Sequence, residues 1–299
     1  LGLASNFWFG HQGYEYVDLG RFWQIFLFVG LFVWLGLMVR AMWPAIRRPN
    51  ESRHLLGLFL LSSVAIAAFY GAGLMWGRQT HLAMAEYWRW WVVHLWVEGF
   101  FEVFATAVIA FLFTRMGLLN VRSATAATLF ATSIFLSGGI VGTMHHLYFS
   151  GAPAAHMALG AFFSAMEVIP LTLLTLEAYS FLRLGALETP FTRQFPHRWA
   201  AWALVSVGFW NFLGAGVFGF LINLPIISYY EIGTALTANH GHTAMFGVYG
   251  MLAVGLMLFC LRYLVPPERW NDRLAAISIW SLNIGLAWMA LFNLFPIGV

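Results

Sequence analysis

Five histidines and three glutamates lie inside stretches that are otherwise apolar enough to cross a lipid bilayer. They are His94, Glu98, Glu102, His145, His146, Glu167, His240 and His242. An ionisable side chain in hydrocarbon costs roughly 2.5 to 3.5 kcal/mol even on lenient insertion scales, so each one needs a partner that offsets its burial. Metal ions are suitable partners, because imidazole nitrogens and carboxylate oxygens are common metal ligands.

The third apolar stretch carries three of these side chains at a helical spacing. His94, Glu98 and Glu102 follow one another at intervals of four residues, which places them on one stripe of an α-helix. His145 and His146 are about 100° apart around their helix, so both reach one ion only near the helix end or where the backbone loosens. Three imidazoles with a carboxylate as the harder donor favour non-haem iron over copper.

The histidines of the seventh apolar stretch predict a different arrangement. His240 and His242 differ by about 200° around a helix, so their rings point to nearly opposite sides. This spacing suits two separate haems that flank the helix, each with one axial imidazole, and Gly241 leaves room for the macrocycles. If the haem on His240 faces the ion held by the other three histidines, the two irons form a binuclear centre.

The composition indicates which elements must position these residues. The chain has 299 residues, of which 61% are hydrophobic and 9% are charged. Because soluble domains carry about 25% charged residues, this chain is predicted to be an integral membrane protein. A helix of about 20 residues crosses the hydrocarbon core, and eight stretches are long enough. The predicted helices cover residues 22–43, 55–77, 88–114, 124–149, 157–182, 199–224, 240–264 and 274–295.

The arginines predict the orientation of this bundle. All fifteen basic residues are arginine; most lie in the odd-numbered connections, and the fourth and sixth connections carry none. The positive-inside rule then makes the odd connections cytoplasmic, with Arg78 and Arg89 as exceptions. His94 should lie about 9 Å below the outer start of its helix, at the level of the other four histidines. Because the five histidines lie at one level on three helices, we predict that they belong to one site.

Simpler roles exist for individual residues. A lone intramembrane histidine is often a hydrogen-bonded packing residue, Glu102 could bond to a neighbouring serine or threonine, and Glu167 could cap the backbone group freed by Pro170. The single cysteine, Cys260, excludes an internal disulfide and a cysteine-ligated cluster, and no CxxCH occurs, so any haem must be held by histidine. The arginines of the short loops orient the chain, and no nucleic-acid partner is inferred.

Two stretches carry a family resemblance: TANHGHTAMFGVYG at residues 237–250 and GYEYVDLGRFWQ at residues 13–24. Together with His94, Glu98 and Glu102, they resemble the quinol-dependent nitric oxide reductases of the haem-copper oxidase superfamily, and the resemblance covers the whole chain. It implies an all-α integral membrane fold, a bundle of about eight transmembrane helices of the catalytic-subunit type. Residues 1–299 would form a single transmembrane catalytic domain.

The resemblance also implies cofactors, ligands and a reaction. A non-haem iron, a high-spin haem b and a low-spin haem b are implied, and Glu102 and Glu167 match acidic residues beside the iron. The ligands carried over are His94, Glu98, His145 and His146 for the iron, His240 for the high-spin haem and His242 for the low-spin haem. The implied reaction reduces two nitric oxide molecules to nitrous oxide and water, with two electrons from quinol and two protons, in the bacterial cytoplasmic membrane.

Two departures from the superfamily pattern concern the chemistry of the site and the number of helices in the chain. Oxygen-reducing members carry His-Pro-Glu-Val-Tyr where this chain has HLWVE at residues 94–98, so a carboxylate stands in place of their tyrosine. That difference favours iron and nitric oxide over copper and oxygen. The eight helices resemble the fourth to eleventh of twelve, so the chain is expected to be an internal fragment, completed by the rest of its polypeptide or assembled as a homodimer.

Two alternatives remain at the level of sequence. One is an oxygen-reducing terminal oxidase of the same superfamily, which would contain copper as well as iron. The other, less favoured, is a proton or ion transporter in which the buried histidines and glutamates relay protons.

Overall fold

The computed structural model describes residues 7–10, 19–48, 52–188 and 195–299, with no side-chain description for residue 149 or residues 181–188. The described residues are helical apart from turns and one isolated bridge between Gly10 and Leu19. Eight helices in this part of the chain are long and apolar enough to cross a membrane, which confirms the predicted all-α membrane bundle. They are α1 (Arg21–Arg47), α2 (Arg53–Leu74), α3 (Leu82–Arg115), α4 (Val121–His146), α5 (Ala154–Ser180), α6 (Arg198–Ile222), α7 (Ala235–Leu264) and α8 (Asp272–Gly298).

Two of the predicted helices begin five or six residues earlier than expected. The α3 helix starts at Leu82, where the His81 ring accepts a hydrogen bond from the Ala83 amide, and α7 starts at Ala235 after the capping residue Thr234. Tyr87 and Trp88, with the charged Glu86 and Arg89 beside them, misplaced the first boundary, because tryptophan and tyrosine are typical of a membrane interface. His94 therefore lies about 18 Å along its helix instead of about 9 Å.

Burial separates the helices into central and peripheral ones. Over its most apolar part, 56% of α3 is buried, whereas only 6% of α1 is buried. The α3 helix packs between α2 and α4, and α6 packs against α5, α7 and α8. Large side chains fill the core between these helices, among them Phe113, Leu171, Leu204 and Met251. The central helices therefore carry the functional candidates, while α1 presents apolar side chains such as Phe26 outward.

Several of the central helices are irregular. Wide π-helical segments interrupt α3, α4, α6, α7 and α8, and such segments are frequently found at functional sites. The segments are Trp91–Phe100, Phe135–Gly139, Asn211–Phe218, Met245–Gly250 and Met289–Leu294. The α4 helix then ends in a tight 3₁₀ turn, Thr143–His146, and α5 is broken at Val168, two residues before Pro170. These irregularities adjust the direction of the side chains that meet at the site.

Candidate metal centre

Four of the predicted ligands meet at one point. His94 and Glu98 of α3 and His145 and His146 of α4 each offer one ligand atom, and these atoms all lie within 4.8 Å of one another. His94 Nδ1 is 2.6 Å from Glu98 Oε2, and His146 Nε2 is 3.1 Å from the same oxygen. His145 Nε2 lies 3.4 Å from His94 Nδ1. Two ligand atoms about 2.1 Å from one ion are at most about 4.2 Å apart, so these three separations are short enough for a single ion.

Irregular backbone makes this convergence possible. His94 and Glu98 share the π-helical segment of α3, and His145 and His146 occupy the 3₁₀ turn that ends α4. The backbone leaves helical geometry at Leu147, with φ −88° and ψ 33°. The two adjacent imidazole rings consequently lie with centroids 3.9 Å apart. The sequence predicts that His145 and His146 can reach one ion only near such a helix end.

A cavity of about 340 Å³ adjoins the four-ligand cluster. Its lining includes Glu98, His145, Glu102, Glu167 and His240, so α7 contributes to the same space as α3, α4 and α5. One carboxylate oxygen of Glu167, Oε1, lies 3.8 Å from His94 Nε2. Oε1 of Glu102 and Oε1 of Glu167 are buried and have no hydrogen-bond partner within the described part of the chain. Buried oxygens of this kind are costly unless something binds to them, so both are available to a proton or to a bound species.

The two histidines of α7 face different ways, as their spacing predicts. The His240 ring lines the cavity, whereas His242 is exposed on the outer face of the bundle. His240 Nδ1 lies 2.9 Å from the Gly214 carbonyl oxygen, and His242 Nδ1 lies 2.7 Å from the Ala238 carbonyl oxygen. Since a carbonyl can only accept, Nδ1 donates a proton in each ring, and Nε2 is the ring nitrogen left to bind a metal.

Comparison with known proteins assigns the chain to a family. The family model described as cytochrome c and quinol oxidase polypeptide I matches residues 1–299. The chain belongs to this family. It is also similar to a nitric oxide reductase chain of Stutzerimonas stutzeri, with 30% identity over 240 residues, which cover 79% of this chain and 48% of that relative. The chain thus spans about half the length of this relative.

Membership of the cytochrome c and quinol oxidase family makes the chain a multi-pass membrane protein of the haem-copper oxidase superfamily. That superfamily implies haem and metal cofactors, and the donor sets fit both. Three imidazoles and the Glu98 carboxylate converge as a metal site would require. His240, with its Nδ1–H held by a carbonyl, presents Nε2 as the nitrogen that would hold a haem iron.

A tryptophan and its polar neighbours support the cluster and were not predicted. The Trp90 ring stacks on His146 with centroids 4.2 Å apart and planes 5° apart. Its indole N–H donates to Glu86 Oε2 at 3.2 Å, and Arg89 forms an ion pair with the same carboxylate. The signal was present in the sequence, because Trp90 precedes His94 by four residues and so lies on the same helical stripe.

The amino-terminal stretch of the resemblance, residues 13–24, is described only in part. Residues 13–18 lie outside the described residues. Arg21, at the start of α1, is buried and donates to the carbonyl oxygens of Gly73, at 3.2 Å, and of Trp76. This arginine joins α1 to the end of α2 and supplies donors to carbonyls at that helix end.

Proposed function

We propose that the chain is the catalytic part of a nitric oxide reductase, which converts two nitric oxide molecules, two electrons and two protons into nitrous oxide and water. The observation that carries this proposal is the Glu98 carboxylate, which lies at the meeting point of three imidazoles. A hard oxygen donor in the ligand set favours iron over copper. The similarity to a nitric oxide reductase chain supports the same conclusion.

Each ligand has a proposed role. His94, His145, His146 and Glu98 would hold a non-haem iron, His240 a high-spin haem b and His242 a low-spin haem b. When bound, the non-haem iron and the two haems supply Lewis acidity and electrons for the reaction. His240 lines the cavity beside the cluster, so a haem held by His240 would face the metal site, and two small substrate molecules held between them would react by proximity instead of by a bimolecular encounter.

The carboxylates of the cavity handle charge and protons in this proposal. Glu98 lowers the net charge at the metal site. Glu102 and Glu167, each with a buried oxygen that has no hydrogen-bond partner among the described residues, border the cavity and would carry the two protons that the reaction consumes. Glu102 lies one helical turn beyond Glu98 on α3, and Glu167 reaches the site from α5. Each carboxylate would therefore pass a proton to the site from a different helix.

We further propose that residues 1–299 form a single transmembrane catalytic domain in a bacterial cytoplasmic membrane and that quinol supplies the electrons. The rest of the polypeptide or a second copy in a homodimer would complete the low-spin haem and quinol sites. The alternative is an oxygen-reducing oxidase, with which the family description is also compatible. Neither comparison supports a transporter.

A metal and haem count on the full protein purified from membranes tests this proposal. We expect two haems and about three iron atoms per polypeptide, no copper, a Soret band, and consumption of nitric oxide with formation of nitrous oxide. One equivalent of copper with oxygen consumption would identify the oxidase instead. A protein without a Soret band would contradict both.

A further inference from the structure

A tyrosine on the haem-bearing helix reaches the helix that carries the metal ligands. Tyr249 of α7 donates its hydroxyl to the backbone carbonyl of Val97 on α3, with an oxygen–oxygen distance of 2.7 Å. Its ring packs edge-on against Phe101, with centroids 5.6 Å apart. Val97 directly precedes Glu98 and lies three residues after His94. The hydroxyl therefore binds the backbone between two proposed ligands.

The π-helical segment of α3 prepares this carbonyl as an acceptor. In a regular α-helix the Phe101 amide would donate to Val97, but here it donates to the Trp96 carbonyl. The Tyr249 hydroxyl donates to the carbonyl oxygen that the Phe101 amide does not reach. A buried carbonyl without a donor would cost free energy, so the contact stabilises this particular helix geometry.

Two further contacts of α7 follow the same pattern. The Asn239 amide donates to the Ala290 carbonyl at 3.1 Å, and His240 Nδ1 donates to the Gly214 carbonyl at 2.9 Å. Ala290 and Gly214 lie in the π-helical segments of α8 and α6. With Tyr249, three side chains of α7 thus bind carbonyls in wide segments of three neighbouring helices. Of these three contacts, only that of Tyr249 connects α7 to the helix bearing His94 and Glu98.

We propose that Tyr249 is a positioning residue that sets the gap between the haem on His240 and the metal held by His94 and Glu98. This inference rests on the proposed function. The phenol ring is rigid and spans the distance between the two helices, so the hydroxyl bond holds the Val97 backbone at a defined separation from α7. Loss of the bond lets the π-helical segment shift, and Glu98 shifts with it.

The hydroxyl can be removed without removing the ring. In the full protein with its cofactors, Tyr249→Phe should retain haem and iron at parent levels. It should lower nitric oxide turnover about ten-fold, because one buried hydrogen bond is lost and the reacting groups are misplaced. The C–O stretching band of carbon monoxide bound to the reduced high-spin haem should shift or broaden. Tyr263→Phe is the matched control, since Tyr263 lies on the same helix and is exposed.

A second variant separates positioning from proton donation. Tyr249→4-aminophenylalanine restores a hydrogen-bond donor of similar reach but not the acidity of a phenol. Recovery of the parent C–O band and of most of the turnover supports the positioning role. An unchanged band in Tyr249→Phe, or lowered turnover that the amino variant fails to restore, overturns it. If the parent protein binds no haem or iron, both the proposed function and this inference fail. If the parent binds both cofactors and Tyr249→Phe has the same turnover and the same C–O band, only the inference fails.

Discussion

The proposed metal-ligand cluster of α3 and α4 differs from the histidine pair of α7 in the geometry of the helices that carry it. His240 and His242 lie in a regular α-helical segment, and a spacing of two residues directs their rings to opposite faces. His94 with Glu98, and His145 with His146, lie where the helix widens or tightens, and their ligand atoms come within 4.8 Å of one another. Regular helix separates the two proposed haem ligands, whereas irregular helix gathers the proposed ligands of one metal ion.

The strongest test of this comparison removes one ligand from each region. His145→Ala should lose the non-haem iron and lower turnover at least about 100-fold while the haem on His240 remains, because one of four ligands is gone. His240→Ala should lose the high-spin haem and retain the iron. Iron analysis and optical spectra of the purified variants measure both outcomes.

The exposed His156 provides a control, and His156→Ala should leave both cofactors in place. Simultaneous loss of haem and iron in either ligand variant would mean that the two regions do not bind their cofactors independently.

A methyl group added next to His94 or next to His240 should have an intermediate effect on cofactor binding. An added Cβ at Gly142 would lie 2.5 Å from His94 Nε2, and one at Gly219 would lie 2.6 Å from His240 Cε1. The His94 ring is fully buried and cannot retreat, so Gly142→Ala should weaken iron binding about 10- to 100-fold. Gly219→Ala should instead alter the high-spin haem spectrum and spare the iron.

Gly285 of α8 has no atom within 4 Å of an added Cβ and supplies the control. Gly285→Ala should match the parent in iron content and in spectrum. Parent-like iron affinity in Gly142→Ala would argue that the fourth helix can move away from His94.

The smallest effect concerns the tryptophan behind the cluster. Trp90→Phe removes the indole donor to Glu86 and reduces the stacked area on His146. An aromatic contact contributes about 0.5 to 1.5 kcal/mol, so iron affinity should fall about three-fold to ten-fold. Competition with an iron chelator measures the change. The exposed Trp280→Phe serves as a control with unchanged affinity.

Much of the fold was predictable because hydrophobicity and helix length report directly on membrane crossing. All eight helices were predicted, and the greatest errors were the starts of α3 and α7, where aromatic or polar residues hide the boundary. The meeting of His94, Glu98, His145 and His146 was also predictable, since their spacing and level on two helices allow it. Their roles as ligands remain predictions.

The backbone irregularities and the supporting side chains were not predictable from spacing. A π-helical segment such as Trp91–Phe100 leaves no mark in a pattern that assumes 3.6 residues per turn. The contact between Tyr249 and Val97 joins residues 152 positions apart, and no local rule relates them. Trp90 carried a local signal, but its stacking on His146 depends on where α4 ends.

Sequence alone determined the membrane-spanning class, the number of spans and the types of donor available, because these depend on residue composition and on spacing along one helix. Tertiary structure decided which donors share a centre, which face a common cavity and which face outward. Those outcomes depend on how eight helices pack and on where their hydrogen-bonding pattern widens to accommodate that packing. The Glu98 oxygen, within 3.1 Å of nitrogens from two different helices, is the point at which both kinds of information meet.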